Sequence, residues 1–396
     1  MMDPVNIAII GAGARTIAIC KFLSENPQMA KLAALVDINT AKAEVLNAHF
    51  KCNAQIAADY NAIISKKNID AVMISTPDYA HVEPAVAALK ANKHVYLEKP
   101  LATTLEDCDT IIDAAQHSRS ICYLGFNMRH SPVHEKIYHL IRDGVLGKIT
   151  TIEANEWYYG GRTYFRRWNR LRKFGGGLWL TKACHDFDLI TWIAGGNPSL
   201  IYATSSLSHY KPIEGAGPRC RDCALKNTCP DYYDINKPFD NCFEETWRQL
   251  QLKMDQTGSI APDICLYNSD KDTFDNGIAV INYDNDVRAT YTVNMLAARG
   301  TRQMHIIGVK AMIEADMEKS SLTLTCRHTN KVTNFDLTEQ NHGSHGGADY
   351  MILSDFFNIC RNGGTPRSGL ADGRLAVKMA IAATQSDDSD SPVKIA

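Results

Sequence analysis

The residue with the clearest chemistry is Lys99. It stands in Glu98-Lys99-Pro100, which ends an apolar strand-like run at residues 94–97, about 85 residues downstream of the glycine turn Gly11-Ala12-Gly13-Ala14-Arg15. A lysine at the carboxyl end of a parallel strand, beside a nucleotide fold, lies where the ligands of such sheets bind. The glycine turn follows the first strand and opens a helix, so its backbone can approach a pyrophosphate resting on the helix N-terminus. Thr16 replaces the third glycine of the usual pattern. Asp37 ends the second strand, 24 residues past Gly13, where a carboxylate can accept hydrogen bonds from adenosine ribose hydroxyls. The same charge repels a 2'-phosphate, which favours NAD over NADP. Ser75-Thr76-Pro77, followed by Asp78, Tyr79 and His81, brings small hydroxyls to the same sheet edge. Plainer readings stand beside these: Asp37 as a cap before Thr40, and Pro77-Asp78 as ordinary turn residues.

The elements that would position these groups follow from periodicity. Over the first 125 residues, short β-branched runs (5–10, 32–36, 71–75, 95–97, 121–125) alternate with helical periods (14–24, 40–50, 81–91, 105–118). Near-continuously apolar strands separated by helices predict an α/β, doubly wound parallel sheet covered on both faces. After Gly125 the rhythm changes. A helix over 132–142 ends at Asp143-Gly144, and a strand-like run follows at 149–157. Later runs at 278–283, 287–295, 303–309, 311–315 and 322–325 alternate as open-sheet strands do, with Asn285-Asp286 as a hairpin turn. The expectation is a dinucleotide-binding domain over 1–126 and an α+β domain with a largely antiparallel open sheet over 127–396. An irregular stretch at about 210–275, rich in Pro, Asp, Asn, Tyr and Cys, interrupts the second domain as a lid or a separately stapled insertion.

Composition narrows the partners. With 22% charged residues and a net charge of -2, no electrostatic argument favours nucleic acid or an anionic membrane surface. No 18-residue apolar run and no basic-then-apolar leader occur, and most of the twelve cysteines are scattered singly through core-like runs, so the reading is a cytoplasmic protein with reduced thiols.

Five segments in order, GAGAR, STPDYAH, LEKPLATT, GFNMRHSP and GGGLWLTKACHDFDL, resemble the glucose-fructose oxidoreductase / inositol dehydrogenase family of NAD(P)-dependent enzymes. The resemblance covers most of the chain. It implies an N-terminal Rossmann domain and a C-terminal sheet whose open face lines the substrate site, with homo-oligomers, dimers or tetramers, formed through that sheet. It also implies that Lys99 hydrogen-bonds a substrate hydroxyl, that Pro100 follows a cis bond, and that His185 is the general acid/base. Elementary chemistry agrees, because oxidising a secondary alcohol needs a base with a pKa near working pH while hydride leaves to the nicotinamide. Where many relatives carry an aspartate four residues before the histidine, this chain has Thr181, followed by Lys182. Lys182 is expected to lower the histidine's pKa or bind substrate oxygen, and Asp186 or Asp188 to take over the orienting role. The pattern resembles a branch acting on sugars or glycosides, with Lys-x-x-His-Asp-Phe-Asp preceded by Arg166-Arg167-Trp168. Tyr158, Arg166, Trp168 and Asn127 are candidate substrate or cofactor contacts, and so is His345, in a His342-Gly343-Ser344-His345 loop before a helix that Asp349 caps. The cofactor set is Gly11, Gly13, Ala14, Arg15, Asp37, Ser75, Thr76, Pro77, His81, Glu98, Lys99 and Asn127.

Cys220, Cys223 and Cys229, with Cys242 or His209 as a fourth ligand, suggest a structural zinc stapling the insertion; a disulfide or free thiols are the alternatives. The function expected is NAD-dependent oxidation or reduction of a secondary hydroxyl or ketone of a sugar, glycoside or cyclitol. Two alternatives are an NAD-dependent glycosidase acting by transient oxidation and elimination, and a non-catalytic dinucleotide sensor, against which Lys99 and His185 together argue.

Overall fold

The apolar runs of the N-terminal third form six strands, β1 (Val5–Ile10), β2 (Ala30–Val36), β3 (Gln55–Ala57), β4 (Ala71–Ile74), β5 (His94–Leu97) and β6 (Cys122–Leu124). All five pairings are parallel, in the order β3-β2-β1-β4-β5-β6, the doubly wound arrangement whose ligands lie beyond the carboxyl ends of the strands. Residues of β1 and β4 are buried on both sides, as a parallel sheet between helical layers requires. The computed structural model describes residues 3–254, 261–341 and 344–395.

A second sheet of nine strands follows: β7 (Ile149–Tyr159), β8 (Pro198–Ser206), β9 (Asn276–Tyr283), β10 (Arg288–Asn294), β11 (Leu296–Gly308), β12 (Ala311–Asp316), β13 (Ser321–Cys326), β14 (Val332–Asp336) and β15 (Val393–Lys394). Seven of its eight pairings are antiparallel; β7 and β10 run parallel at its centre. The β9–β10 hairpin turns at Asn285-Asp286, with Asp286 at φ 70°. The helices Cys184–Ala194 and Leu370–Ser389 cover one face. No described helix covers the other face. Trp157, Ile278, Val280 and Ile307 stand out from it at 40–50% exposure.

Burial does not follow chain order. The helix Ala348–Asn362 buries Phe356 and Phe357 in the core of the first sheet, where Phe357 stacks on Phe22 of α1 (Ala14–Glu25) at 6.0 Å between centroids. Within the irregular stretch, the helix Cys242–Leu252 likewise buries Leu250 against that core. The next residue, Lys253, accepts a hydrogen bond through its carbonyl from Asn39 at 2.7 Å. The second half of the chain thus holds the crevice at the strand ends from two sides.

Candidate active site

The glycine turn is shaped by close approach. Gly11 has φ +100°, and a Cβ there would lie 2.5 Å from the carbonyl oxygen of Ser75, so no larger residue fits between β1 and β4. Thr16 explains the missing third glycine. Its hydroxyl donates to Gly11 O at 2.5 Å and accepts from Gly13 N–H at 3.3 Å, tying the turn to α1. Asp37 closes the turn from β2 by accepting from Ala12 N–H (2.7 Å), Asn39 N–H (2.8 Å) and Lys42 Nζ (3.0 Å). Arg15 opens α1 and is gripped by Glu98 and Asp349, both at 2.9 Å. Asp349 is not the cap, which is Gly347; from the first turn of its helix it takes Asn127 Nδ2 at 2.6 Å and His345 Nδ1 at 2.8 Å. The Asn127 Oδ1 atom is buried without a partner among the described residues. A turn that only glycine can fill, a carboxylate at the end of β2 and an unspent amide oxygen fit a dinucleotide. His342 lies outside the described residues.

At the end of β5, Lys99 precedes a cis peptide bond to Pro100. Its Nζ donates to the carbonyl oxygen of Thr181 at 2.7 Å, which carries the ammonium across to the turn that leads into His185. Burial disfavours its charge, but Cys184, Tyr164 and Asp78 around it hold its pKa above the ordinary lysine value. His185 begins the helix Cys184–Ala194, with Phe126 packed on its ring at 5.8 Å. Its Nδ1 is buried with no partner among the described residues. Burial, and then the charges of Lys99 and Arg302, push the imidazole well below its usual pKa, so it is neutral at physiological pH. Lys182 lies 2.5 Å from Glu156 Oε1 and 4.7 Å from the centroid of the Tyr158 ring. Glu156 gives its other oxygen to Arg302 at 2.6 Å, and Arg302 also pairs with Asp186 at 2.9 Å. The arrangement is a neutral base flanked by an ammonium, next to a cleft shaped for a cofactor.

Several expected roles fall elsewhere. Arg166 is committed to the irregular stretch, donating to Ile264 O (3.0 Å) and Asp231 O (2.7 Å), and it is its neighbour Arg167 that faces Asp78 and Tyr164. Trp168 packs edge-on against Tyr79 at 6.1 Å. His81 is buried with its ring nitrogens on the carbonyls of Pro100 (2.8 Å) and Thr76 (3.2 Å), so it pins two site loops together rather than facing a ligand. Neither Asp186 nor Asp188 orients His185. Asp186 serves Arg302 and Tyr291, and Asp188 serves Arg129 at 2.6 Å, with burial raising its pKa to about 6. The inner face of the second sheet, through Glu156, Tyr158 and Arg302, lines the site, not the open face. Zinc finds no support either. Among the described residues no group of three or more His, Cys, Asp or Glu is placed to hold a metal ion. The Cys220 thiol takes a hydrogen bond from Arg166, the Cys223 sulfur one from Gly217 N–H, and Cys229 is a free thiol. The stretch is stapled instead by Arg166, by Arg221 on Asp263, and by Asp231 between Tyr159 and Tyr267. Sequence reasoning missed Glu156, Arg302 and Arg167.

A parallel six-stranded sheet with a glycine turn and an aspartate at the end of β2, joined to an open sheet that brings Lys99 and His185 together, is the architecture of a nicotinamide-dependent oxidoreductase. The comparisons with known proteins make this specific. Residues 5–126 match the model of the oxidoreductase family's NAD-binding Rossmann fold, and residues 139–395 match that of the same family's C-terminal alpha/beta domain. The chain belongs to the GFO_IDH_MocA oxidoreductase family, and it is an NAD(P)-dependent oxidoreductase acting on CH–OH groups. It is 31% identical to YteT of Bacillus subtilis over 78% of this chain and 76% of that protein. To the myo-inositol 2-dehydrogenase of Thermotoga maritima it is 30% identical over 40% of this chain and 46% of the relative. In fold it is similar to levoglucosan dehydrogenase solved with NADH, with a TM-score of 0.78 over the whole of both chains at 18% identity. No described helix is long and apolar enough to cross a membrane.

Proposed function

We propose that this enzyme moves a hydride between NAD and a secondary carbinol of a sugar, glycoside or cyclitol, with His185 as the acid/base and Lys99 holding the reacting oxygen. The observation that carries the reading is His185 itself: an imidazole kept neutral by burial and by neighbouring cations, Lys99 first among them, with the Lys99 ammonium donating to the carbonyl of Thr181 in the segment that leads into it. In oxidation, His185 takes the hydroxyl proton and Lys99 stabilises the negative charge growing on that oxygen. The bound nicotinamide supplies the hydride acceptor. The carbinol thereby loses one hydride and one proton and becomes a ketone; the reverse direction returns both. Asp37 supports NAD over NADP, since its carboxylate repels a 2'-phosphate. The sugar dehydrogenase likeness in fold and the inositol dehydrogenase relative support a polyhydroxylated substrate. The apolar groups on the bare face of the second sheet support a homo-oligomer joined there, and a cytoplasmic setting goes with the reading.

The test is a panel of sugars, glycosides and cyclitols screened by NADH fluorescence with the wild-type enzyme and with Lys99→Ala and His185→Ala. Turnover by wild type and loss of about three orders of magnitude in each variant is the expected result. A Lys99→Ala enzyme as active as wild type refutes the assignment. Release of an aglycone with no net NADH change assigns the redox-neutral elimination instead.

A further inference from the structure

One cation near the reacting pair has no carboxylate of its own. Around Lys99 and His185 the buried carboxylates are Asp78, Glu156 and Asp186 and the cations are Lys99, Arg167, Lys182 and Arg302, while Glu98 and Asp349 grip Arg15 beside them. Glu156 takes Lys182 and Arg302, Asp186 takes the other side of Arg302, and Lys99 faces Asp78. Arg167 is the cation left over. It forms no ion pair with any described residue, and its guanidinium lies over the Trp247 ring at 5.0 Å. Its one charged neighbour is Asp78, already opposite Lys99, and the neutral phenols of Tyr164 and Tyr158 lie near it. Burial lowers its pKa below the ordinary arginine value, the mark of a cation drawn from water without full compensation. The adjacent Arg166, fixed to Ile264 O and Asp231 O, and the Trp247 ring hold it in place.

We infer that the substrate carries a carboxylate and that Arg167 receives it, so that the enzyme acts on acidic sugars of the uronate or aldonate kind. A neutral polyol leaves the guanidinium unpaired, whereas a carboxylate matches its planar fork with two parallel hydrogen bonds. A lone guanidinium with no second unpaired cation beside it favours a singly charged carboxylate over a doubly charged phosphate ester. The inference rests on the dehydrogenase reading for the reacting centre, but the anion site can be tested without it.

Wild-type enzyme is compared on matched pairs, glucose with glucuronate and galactose with galacturonate, and on glucose 6-phosphate, by NADH fluorescence. The acid of at least one pair is expected to exceed its neutral twin in kcat/KM by on the order of 100-fold, the scale of one charge-assisted pair. Arg167→Gln brings that ratio near one, chiefly through KM, and Arg167→Lys, which keeps the charge and loses the fork, falls between. The dissociation constant of NADH, titrated by fluorescence, moves less than about twofold, within a fraction of one such pair. Equal use of acid and neutral twin, preference for the phosphate, or a parallel loss of NADH affinity overturns the inference. If no sugar is turned over, calorimetric titration of glucuronate and galacturonate into the NADH-loaded enzyme decides it. Binding that Arg167→Gln or Arg167→Lys weakens keeps the anion site while the dehydrogenase reading fails; absence of binding overturns both.

Discussion

Glu156 and Arg302 form the ion pair beneath the candidate site. They meet at 2.6 Å across adjacent strands β7 and β11, with Lys182 on the other oxygen of the carboxylate. Arg302, and behind it Lys182, lowers the Glu156 pKa against the push of burial, so the carboxylate stays charged and holds Lys182 beside His185. Glu156 is a positioning residue. Replacing it with Gln leaves two buried cations facing each other, so kcat/KM should fall by ten- to a hundredfold and stability by about 3 kcal/mol, as for a broken buried pair. Steady-state kinetics with chemical denaturation checks both, and an unchanged denaturant midpoint with unchanged kcat/KM contradicts the role.

The acid limb of the oxidation rate should lie low. A base must be unprotonated to work, and His185 is held well below the ordinary imidazole value by burial and by Lys99. The kcat/KM for alcohol oxidation should therefore stay flat as pH falls from 8 through about 6.5. A limb centred at or above that value would show that the cations do not act on the imidazole.

Stability should fall over the same acid range. Burial pushes His130 and His134 down to about 3, and lowers His81 and His185 as well. The unfolded chain takes up these protons near pH 6.5, while the folded chain does so only much lower. Between the two the unfolded state binds more protons, so the free energy of unfolding decreases as pH drops from about 6.5 toward about 3. Urea unfolding at a series of pH values gives the slope; one of zero or the opposite sign refutes the burial of neutral imidazoles.

Cofactor choice should be set by Asp37. Asp37→Ser removes the negative charge at the end of β2 while Lys42 stays beside it, so NADP use should rise relative to NAD by tenfold or more, about 1.4 kcal/mol. Paired titrations of NADH and NADPH measure the ratio, and an unchanged preference would move specificity elsewhere.

The bare sheet face should be an interface. Trp157→Asp combined with Ile278→Asp places two charges where the exposed apolar groups of β7 and β9 stand. Light scattering is expected to show an oligomer for wild type and a monomer for the double variant. A wild-type monomer would end that proposal.

Much of the fold was legible because its signals are local. Continuous apolar runs between helical periods announce a parallel sheet, and alternation announces an open one. What was not legible depended on pairing. Glu156 and Arg302 sit at strand positions where a polar residue normally faces water, and only the β7–β11 register places them opposite each other indoors. Arg166 and Arg167 are chemically identical and adjacent, so no sequence pattern says which one anchors the irregular stretch and which one lies near Asp78. The zinc expectation failed for a related reason: cysteine spacing carries no information about Arg166 or about the carbonyls and carboxylates that tie the stretch down. The helix Ala348–Asn362, distant in sequence from the first sheet, joins that sheet's core, which chain order conceals.

The opposed side chains of Arg166 and Arg167 tie two seemingly separate regions together through one peptide bond. Exchanging the irregular lobe for that of a relative would loosen the anchor of Arg166 and swing its neighbour, so such a transplant would re-aim what the crevice accepts. Selection for new substrates can therefore operate on the residues that anchor Arg166.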